Sequence, residues 1–199
     1  TITIGGTANG AGNLISGNVF GVRFVGNVTN SQILGNFIGT NADGTSAIPN
    51  TIQGVLLQSS SGNTIGGTTA AARNLISGNS VQGVSLQNDS PNNLVLGNYI
   101  GTKIDGLTAL PNGVGVSVDG SGSTGNVIGG TTTGAGNVIS GNTQNGLQMS
   151  GGAANNRVEG NIVGLKADGS AILPNSNGIS LFGLANNNEI GGTMAGAGN

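Results

Sequence analysis

Few side chains in this chain could do chemistry, and the most regular of them are three aspartates. Asp43, Asp105 and Asp168 each precede a glycine, at spacings of 62 and 63 residues. Pairs of carboxylates about 5 to 9 Å apart carry out glycoside hydrolysis, so these aspartates are the first catalytic candidates. The chain has no His, no Cys and a single Tyr, Tyr99. Disulfides and thiolate metal sites are therefore excluded.

The aspartates belong to a longer repeat, which must position them. The tetrapeptide I-G-G-T begins at Ile4, Ile65, Ile128 and Ile190, 61 to 63 residues apart. Each of the first three copies is followed by N-[LV]-I-S-G-N, then by a second G-N pair, the D-G pair and a Pro-Asn pair. Recurrence at such a period is typical of solenoid architectures. We expect residues 1–199 to be one domain of three 62-residue repeats, and a fragment of a longer array.

Each repeat divides into two similar halves. A tetrad of Gly, an aliphatic residue, a variable residue and an apolar residue recurs every 29 to 33 residues. In the copy at Gly83, Val84 and Leu86 point one way and Ser85 the other, as in a half-buried strand. Val22, Val55 and Val84 hold the same place in successive tetrads, which predicts that they stack in one core. The tetrads begin at Gly21, Gly54, Gly83, Gly115, Gly146 and Gly178.

This periodicity predicts an all-β fold, a single-stranded right-handed parallel β-helix or β-solenoid. Stacked parallel rungs need equivalent residues at equivalent places, whereas antiparallel meanders do not. We expect about six rungs of about 31 residues, with three strand faces per rung and a length on the order of 30 Å. The three faces are the tetrad, the N-x-I segment after it, and a third face that holds N-L-I-S-G-N in one rung and the D-G to P-N loop in the next.

The composition limits the partners of this chain. Charged residues make up 6% of it, with a net charge of −2, so no basic stripe is available for nucleic acid. No apolar run is long enough for membrane insertion. Gly is present 41 times and aromatic residues make up 3%, which favours short strands joined by tight turns.

Asparagine is the predicted corner residue of the coil. The backbone visits left-handed φ at tight corners, which Gly and Asn tolerate, and stacked Asn amides can hydrogen-bond along the coil. The best candidates are the Asn residues of the Gly-Asn pairs, for which we expect a structural role: Asn18, Asn36, Asn79, Asn98, Asn142 and Asn161.

A second candidate feature is an outward apolar strip. Leu34, Phe37, Leu96 and Tyr99 are expected to point outward from one face, where Glu159 interrupts them. A loop folded over this strip, or contact with another rod or a partner, would explain an apolar exterior.

The repeat also weakens the catalytic interpretation of the aspartates. Successive D-G loops are two rungs apart, about 10 Å by strand spacing, at the outer limit for a carboxylate pair. Asp before Gly is typical of a turn. We therefore predict no catalytic residues, no metal site and no cofactor in this segment.

The iterated G-[IV]-x-L and N-x-I-x-G-N segments resemble the right-handed parallel β-helix repeat proteins related in fold to pectate lyases, especially bacterial surface and secreted members. The resemblance covers essentially the whole chain. It implies the fold and an extracellular or cell-surface location. The acidic, basic and His side chains with which the enzymes of that superfamily work find no matching positions here.

Three functions are compatible with the sequence. The first is a structural rod, stalk or filament that associates end to end through further rungs or further copies, and laterally with other rods. The second is a carbohydrate-binding or carbohydrate-active β-helix. The third is an ice-binding solenoid, although Thr7, Thr68, Thr131 and Thr193 recur only every second rung. The first explains the most residues, because nearly every position is accounted for by folding.

Overall fold

Nineteen short strands wind into a parallel β-solenoid of about six rungs with three strand faces. The structure is a computed structural model that describes all 199 residues. Every pairing between strands is parallel and joins one rung to the next. The predicted fold class is confirmed.

Each face of the solenoid is one sheet, and the chain visits sheets A, B and C in turn. Sheet A contains β1 (Thr3–Gly5), β4 (Gln32–Leu34), β7 (Thr64–Gly66), β10 (Leu94–Leu96), β13 (Val127–Gly129), β16 (Arg157–Glu159) and β19 (Glu189–Ile190). Sheet B contains β2 (Leu14–Ile15), β5 (Phe37–Ile38), β8 (Leu75–Ile76), β11 (Tyr99–Ile100), β14 (Val138–Ile139) and β17 (Ile162–Val163). Sheet C contains β3 (Phe20–Val25), β6 (Gln53–Gln58), β9 (Gln82–Gln87), β12 (Val114–Asp119), β15 (Asn145–Ser150) and β18 (Asn177–Leu181). One turn of 3-10 helix spans Ala70–Ala72.

The core consists of aliphatic columns in which like residues lie over like. Val22 pairs in register with Val55, and Val55 with Val84. All three valines are buried, so the predicted stacking is confirmed. β-Branched side chains fit such columns because they pack well against neighbours on a pleated surface.

The glycine that opens each tetrad is required by close packing. A Cβ atom on Gly54 would lie 2.7 Å from the carbonyl oxygen of Gly83 and 2.9 Å from Cγ2 of Ile76. Both distances are shorter than real Cβ contacts. Only glycine lets β6 pack this closely against the neighbouring rung at this point.

Two rung types alternate, as the half-repeats predict. In one type a long loop joins sheet A to sheet B; we call residues 6–13, 67–74, 130–137 and 191–199 the G-G-T loops. In the other type a long loop joins sheet B to sheet C; we call residues 39–52, 101–113 and 164–176 the D-G loops. The predicted third face needs one correction. In the second rung type its strand is the apolar pair before the D-G loop, such as Phe37–Ile38, and the loop itself lies outside the coil.

The packed columns predict a large cost for removing one buried side chain. Ile65 is fully buried in the column of sheet A, so Ile65→Ala should lower the free energy of unfolding by about 2 to 5 kcal/mol. The matched change Ile48→Ala lies on a loop where the side chain is 44% exposed and should cost far less. Urea denaturation of both variants measures the difference. Equal losses would contradict the column as the source of stability.

Candidate functional site

The six Asn residues predicted at corners lie in two continuous hydrogen-bonded ladders. Asn36, Asn98 and Asn161 lie at the corner between sheets A and B. Asn18, Asn79 and Asn142 lie at the corner between sheets B and C. Within each ladder they alternate with Asn residues from the other rung type. The A–B ladder runs through Asn13, Asn36, Asn74, Asn98, Asn137, Asn161 and Asn199. The B–C ladder runs through Asn18, Asn50, Asn79, Asn112, Asn142 and Asn175.

Asn98 shows the geometry of one ladder step. Its Oδ1 accepts the backbone N–H of Asn74 at 3.2 Å and the side-chain amide of the same residue at 2.9 Å. Its backbone N–H and Nδ2 in turn donate to Oδ1 of Asn137 at 2.9 and 3.0 Å. A second proton on Nδ2 goes to the carbonyl oxygen of Ile65 at 2.9 Å. Every polar atom of this buried side chain is thus paired, as burial requires.

Glycine, and not asparagine, takes the left-handed backbone conformation at these corners. Gly97 has a φ of 65°, whereas the φ of Asn98 is negative. The other five predicted corner Asn residues also have negative φ. The left-handed turn is therefore made by glycine alone at these two corners. At the corner between sheets C and A both residue types take it, as expected, in the series Asn30, Gly62, Asn92, Gly125, Asn155 and Asn187. Glycine makes the turn because it lacks Cβ, and this aims the amide of the next residue at the neighbouring rung.

A third ladder, which the sequence analysis did not predict, occupies the corner between sheets C and A. Ser31 replaces Asn at its N-terminal end. The signal for it in the sequence is the leading Asn of each N-x-I segment, which recurs once per rung. The ladder runs through Ser31, Asn63, Asn93, Asn126, Asn156 and Asn188.

The predicted apolar strip is divided between two faces. Leu34 and Leu96 belong to sheet A, whereas Phe37 and Tyr99 belong to sheet B. The single-face expectation is wrong because each G-N corner lies between the leucine and the aromatic residue. All four side chains are half-buried.

The D-G loops fold over the aromatic side chains of sheet B. A Cβ atom on Gly44 would lie 2.7 Å from Leu75 and 3.3 Å from the Phe37 ring, and one on Gly106 would lie 2.8 Å from the Tyr99 ring. The guanidinium of Arg73 also stacks 4.0 Å from the Tyr99 ring centre. A second layer thus covers much of this face.

Glu159 lies on sheet A in the place that Leu34 and Leu96 hold in the other repeats. Its side chain is only 7% exposed, and Oε1 accepts a 2.5 Å hydrogen bond from the guanidinium of Arg157. The Nε atom of Arg157 also lies 3.9 Å from the carboxylate of Glu189. The buried carboxylate is therefore paired with a cation, as a buried charge requires.

The three repeated aspartates lie on the D-G loops, and Asp105 and Asp168 make hydrogen bonds typical of turns, whereas in the first loop Asn41 makes them. Oδ1 of Asp105 accepts the backbone amides of Leu107 and Thr108 at 2.8 and 3.0 Å. Oδ1 of Asp168 accepts the amide of Ser170 at 2.9 Å. These are the local hydrogen bonds by which Asp stabilises turns.

The turn hydrogen bonds shift the acidity of two of these aspartates. Partial burial acts to raise the pKa of Asp105, but the hydrogen bonds from Leu107 and Thr108, with the charge of Lys103, outweigh it and lower the pKa. The hydrogen bonds from Ser170 lower the pKa of Asp168. A depressed folded-state pKa means that the ionised form stabilises the loop.

One small pocket lies at the N-terminal end of the rod, at the corner between sheets A and B. The outward side chains of Leu14 and Phe37 are part of its lining. The remaining lining residues are Asn9, Gly10, Gly12, Asn13, Gly35 and Ala42.

No group of three or more His, Cys, Asp or Glu side chains is arranged to hold a metal ion. No helix has the length and apolar character needed to cross a membrane. Comparison with protein-family models, curated proteins and solved structures gives no match.

The ladders predict that removing an Asn side-chain amide lowers the free energy of unfolding by an amount that depends on its position in the ladder. Asn98→Ala removes a fully buried side chain with four hydrogen bonds and should lower the free energy of unfolding by about 3 kcal/mol or more. Asn13→Ala removes one side-chain bond at the exposed end and should cost less than about 1 kcal/mol. Chemical denaturation of both variants measures the two losses. If Asn13→Ala cost as much as Asn98→Ala, the ladder would not account for the stability of the corner.

The aspartate turns predict a pH-dependent loosening of two loops. A carboxylate with a depressed folded-state pKa stabilises the fold above its ordinary pKa of 3.8, and this contribution is lost as the pH falls through the lower folded value. We expect amide exchange at Thr108 and Ser170 to lose protection in acid, relative to the intrinsic rate. The first D-G loop is the control, because the neutral side chain of Asn41 holds the amides of Thr45 and Ser46. An equal acid loss of protection at Thr45 would contradict the assignment.

Proposed function

We propose that this chain is a structural segment of a rod, stalk or filament, with no catalytic activity of its own. The observation that carries the proposal is the continuity of the three corner ladders and of the aliphatic core. The core forms one cluster of 20 buried residues, from Val22 near one end to Val158 near the other. A structural rod needs a continuous core and continuous corner ladders in order to keep a fixed length and direction.

The polarity of the ladders supports association end to end. In every step the residue nearer the N-terminus donates and the residue nearer the C-terminus accepts, as in the pair Asn13 to Asn36. By the same rule, a rung added before Asn13 would donate to its Oδ1, and a rung added after Asn199 would accept from its amide. The two ends are therefore chemically complementary. Further rungs or further copies added in the same direction would continue each ladder.

The setting of the rod is proposed from its resemblance to other proteins. The repeat motifs resemble bacterial surface and secreted members of the right-handed parallel β-helix repeat proteins. On this basis we propose an extracellular or cell-surface location. Lateral contacts between rods would use the exposed aliphatic side chains of the D-G loops, such as Ile104 and Leu107.

Electron microscopy and a polysaccharide panel test the proposed function together. A structural rod should give elongated particles or fibres whose length grows with protein concentration. It should leave the polysaccharides intact. Discrete short particles under all conditions, accompanied by glycan turnover, would overturn the structural role in favour of a carbohydrate-active β-helix.

A further inference from the structure

Four asparagines of this chain are followed directly by glycine. They are Asn9, Asn112, Asn145 and Asn177. The side-chain amide of an asparagine can be attacked by the backbone nitrogen of the next residue, and glycine hinders this attack least and leaves the backbone most freedom. The amide is then lost and a carboxylate takes its place. The four pairs are alike in sequence, but their surroundings in the fold differ.

The pair at Asn112 is held in the ladder between sheets B and C. The side chain is 1% exposed, and its Nδ2 donates to the carbonyl oxygen of Ile76 at 2.9 Å and to Oδ1 of Asn142 at 3.0 Å. Its Oδ1 accepts both the backbone and the side-chain N–H groups of Asn79. This side chain cannot turn toward the next backbone amide without breaking the ladder.

The pairs at Asn145 and Asn177 begin two strands of sheet C. The two asparagines are paired in register, and Nδ2 of Asn177 donates to Oδ1 of Asn145 at 2.9 Å. Nδ2 of Asn145 in turn donates to Oε1 of Gln148 at 2.8 Å. Ring closure requires rotation about the Cα–C bond of the asparagine, and the extended backbone of a paired strand fixes that bond. These two pairs are therefore restrained as well.

The pair at Asn9 lies at the tip of the first G-G-T loop. The side chain of Asn9 is exposed and makes no hydrogen bond, and the backbone amide of Gly10 makes none either. Gly10 has a φ of 77°. The turn around the pair is closed by a hydrogen bond from the amide of Ala11 to the carbonyl oxygen of Ala8 at 3.0 Å. The attacking nitrogen and the side chain that it would attack are both unrestrained.

The exposure of this tip is a property of the loop and recurs inside the rod. In the third repeat the place of Asn9 is held by Thr133, which is also exposed. Gly134 follows it with a φ of 82°, and the amide of Ala135 closes the same turn on the carbonyl oxygen of Thr132 at 2.9 Å. The loop shape is thus shared between repeats, and the first repeat places the reactive amide on it.

We propose that Asn9 is a site of spontaneous deamidation, at which the rod acquires a carboxylate. The backbone nitrogen of Gly10 forms a bond to Cγ of Asn9, and the bond from Cγ to Nδ2 breaks. The side-chain nitrogen leaves as ammonia, taking the proton of the Gly10 amide, and a five-membered succinimide ring remains. Water then adds to either ring carbonyl and opens the ring, giving aspartate or isoaspartate.

The modification is large for a chain with so few charges. It makes the formal net charge one unit more negative than the present −2. The isoaspartate form also adds one carbon to the main chain, inside the turn that Ala8 and Ala11 close. The counterpart Thr133 has no amide and cannot react in this way. Deamidation therefore makes the first repeat chemically different from the third.

Peptide mass spectrometry of the aged folded protein tests the proposal. Trypsin releases residues 1–23, 104–157 and 167–199 as separate peptides, which separates Asn9 from the other three pairs. After incubation at neutral pH, we expect replacement of the amide by a carboxyl group at Asn9 at least about tenfold faster than at the other pairs, which react only after local opening. In concentrated urea the four rates should be similar. Equal rates in the folded protein, or an unchanged Asn9, would overturn the proposal.

Two substitutions provide matched controls. Asn9→Gln keeps an amide at the tip, but its longer side chain closes a ring less readily, so modification of residues 1–23 should fall at least about tenfold. Thr133→Asn creates an Asn-Gly pair on the counterpart turn and should add a reactive site within residues 104–157. Urea unfolding checks that both variants fold. If folded Thr133→Asn protein stays intact at this position while Asn9 reacts, the loop does not explain the reactivity and the assignment is overturned.

Discussion

In-register parallel stacking is the constraint that every other feature of this molecule obeys. A side-chain amide at a corner finds its acceptor one rung away only if every turn of the chain places its corner at the same point. The three ladders therefore fix the register of all three sheets together. With so few charged residues and no disulfides, stability has to come from such repeated contacts and from the aliphatic columns between them.

Glycine and asparagine have different roles at the corners between sheets A and B and between sheets B and C. Glycine supplies the backbone conformation and the space, as Gly97 and Gly54 show in two different ways. Asparagine supplies both a donor and an acceptor on one short side chain, which lets a ladder pass through it in a fixed direction. An aspartate offers acceptors alone when ionised, and a serine reaches less far. Ser31 lies at a ladder end, where only one neighbouring ladder residue has to be met.

The loops give the rod an outer layer with the same direction as the ladders. The first two D-G loops lie against the repeat that follows them: Gly44 faces Leu75 and Ile104, and Gly106 faces Ala167. Asp105 and Asp168 stabilise this layer by holding their turns, and their hydrogen bonds explain the lowered pKa of each.

The repeat, the number of rungs, the parallel stacking and the inward valines could all be predicted from the sequence, because they follow from local alternation and from a period that any coil of this kind must keep. The face that each side chain occupies required the three-dimensional course of the chain. Leu34 and Phe37 are three residues apart, yet a two-residue corner sends them to different sheets. The pairing of Asn98 with both Asn74 and Asn137 could not be predicted from the sequence either. Its partners are 24 and 39 residues away because the loops between them extend to different distances outside the coil. Spacing along the chain does not show how many of those residues lie outside the coil.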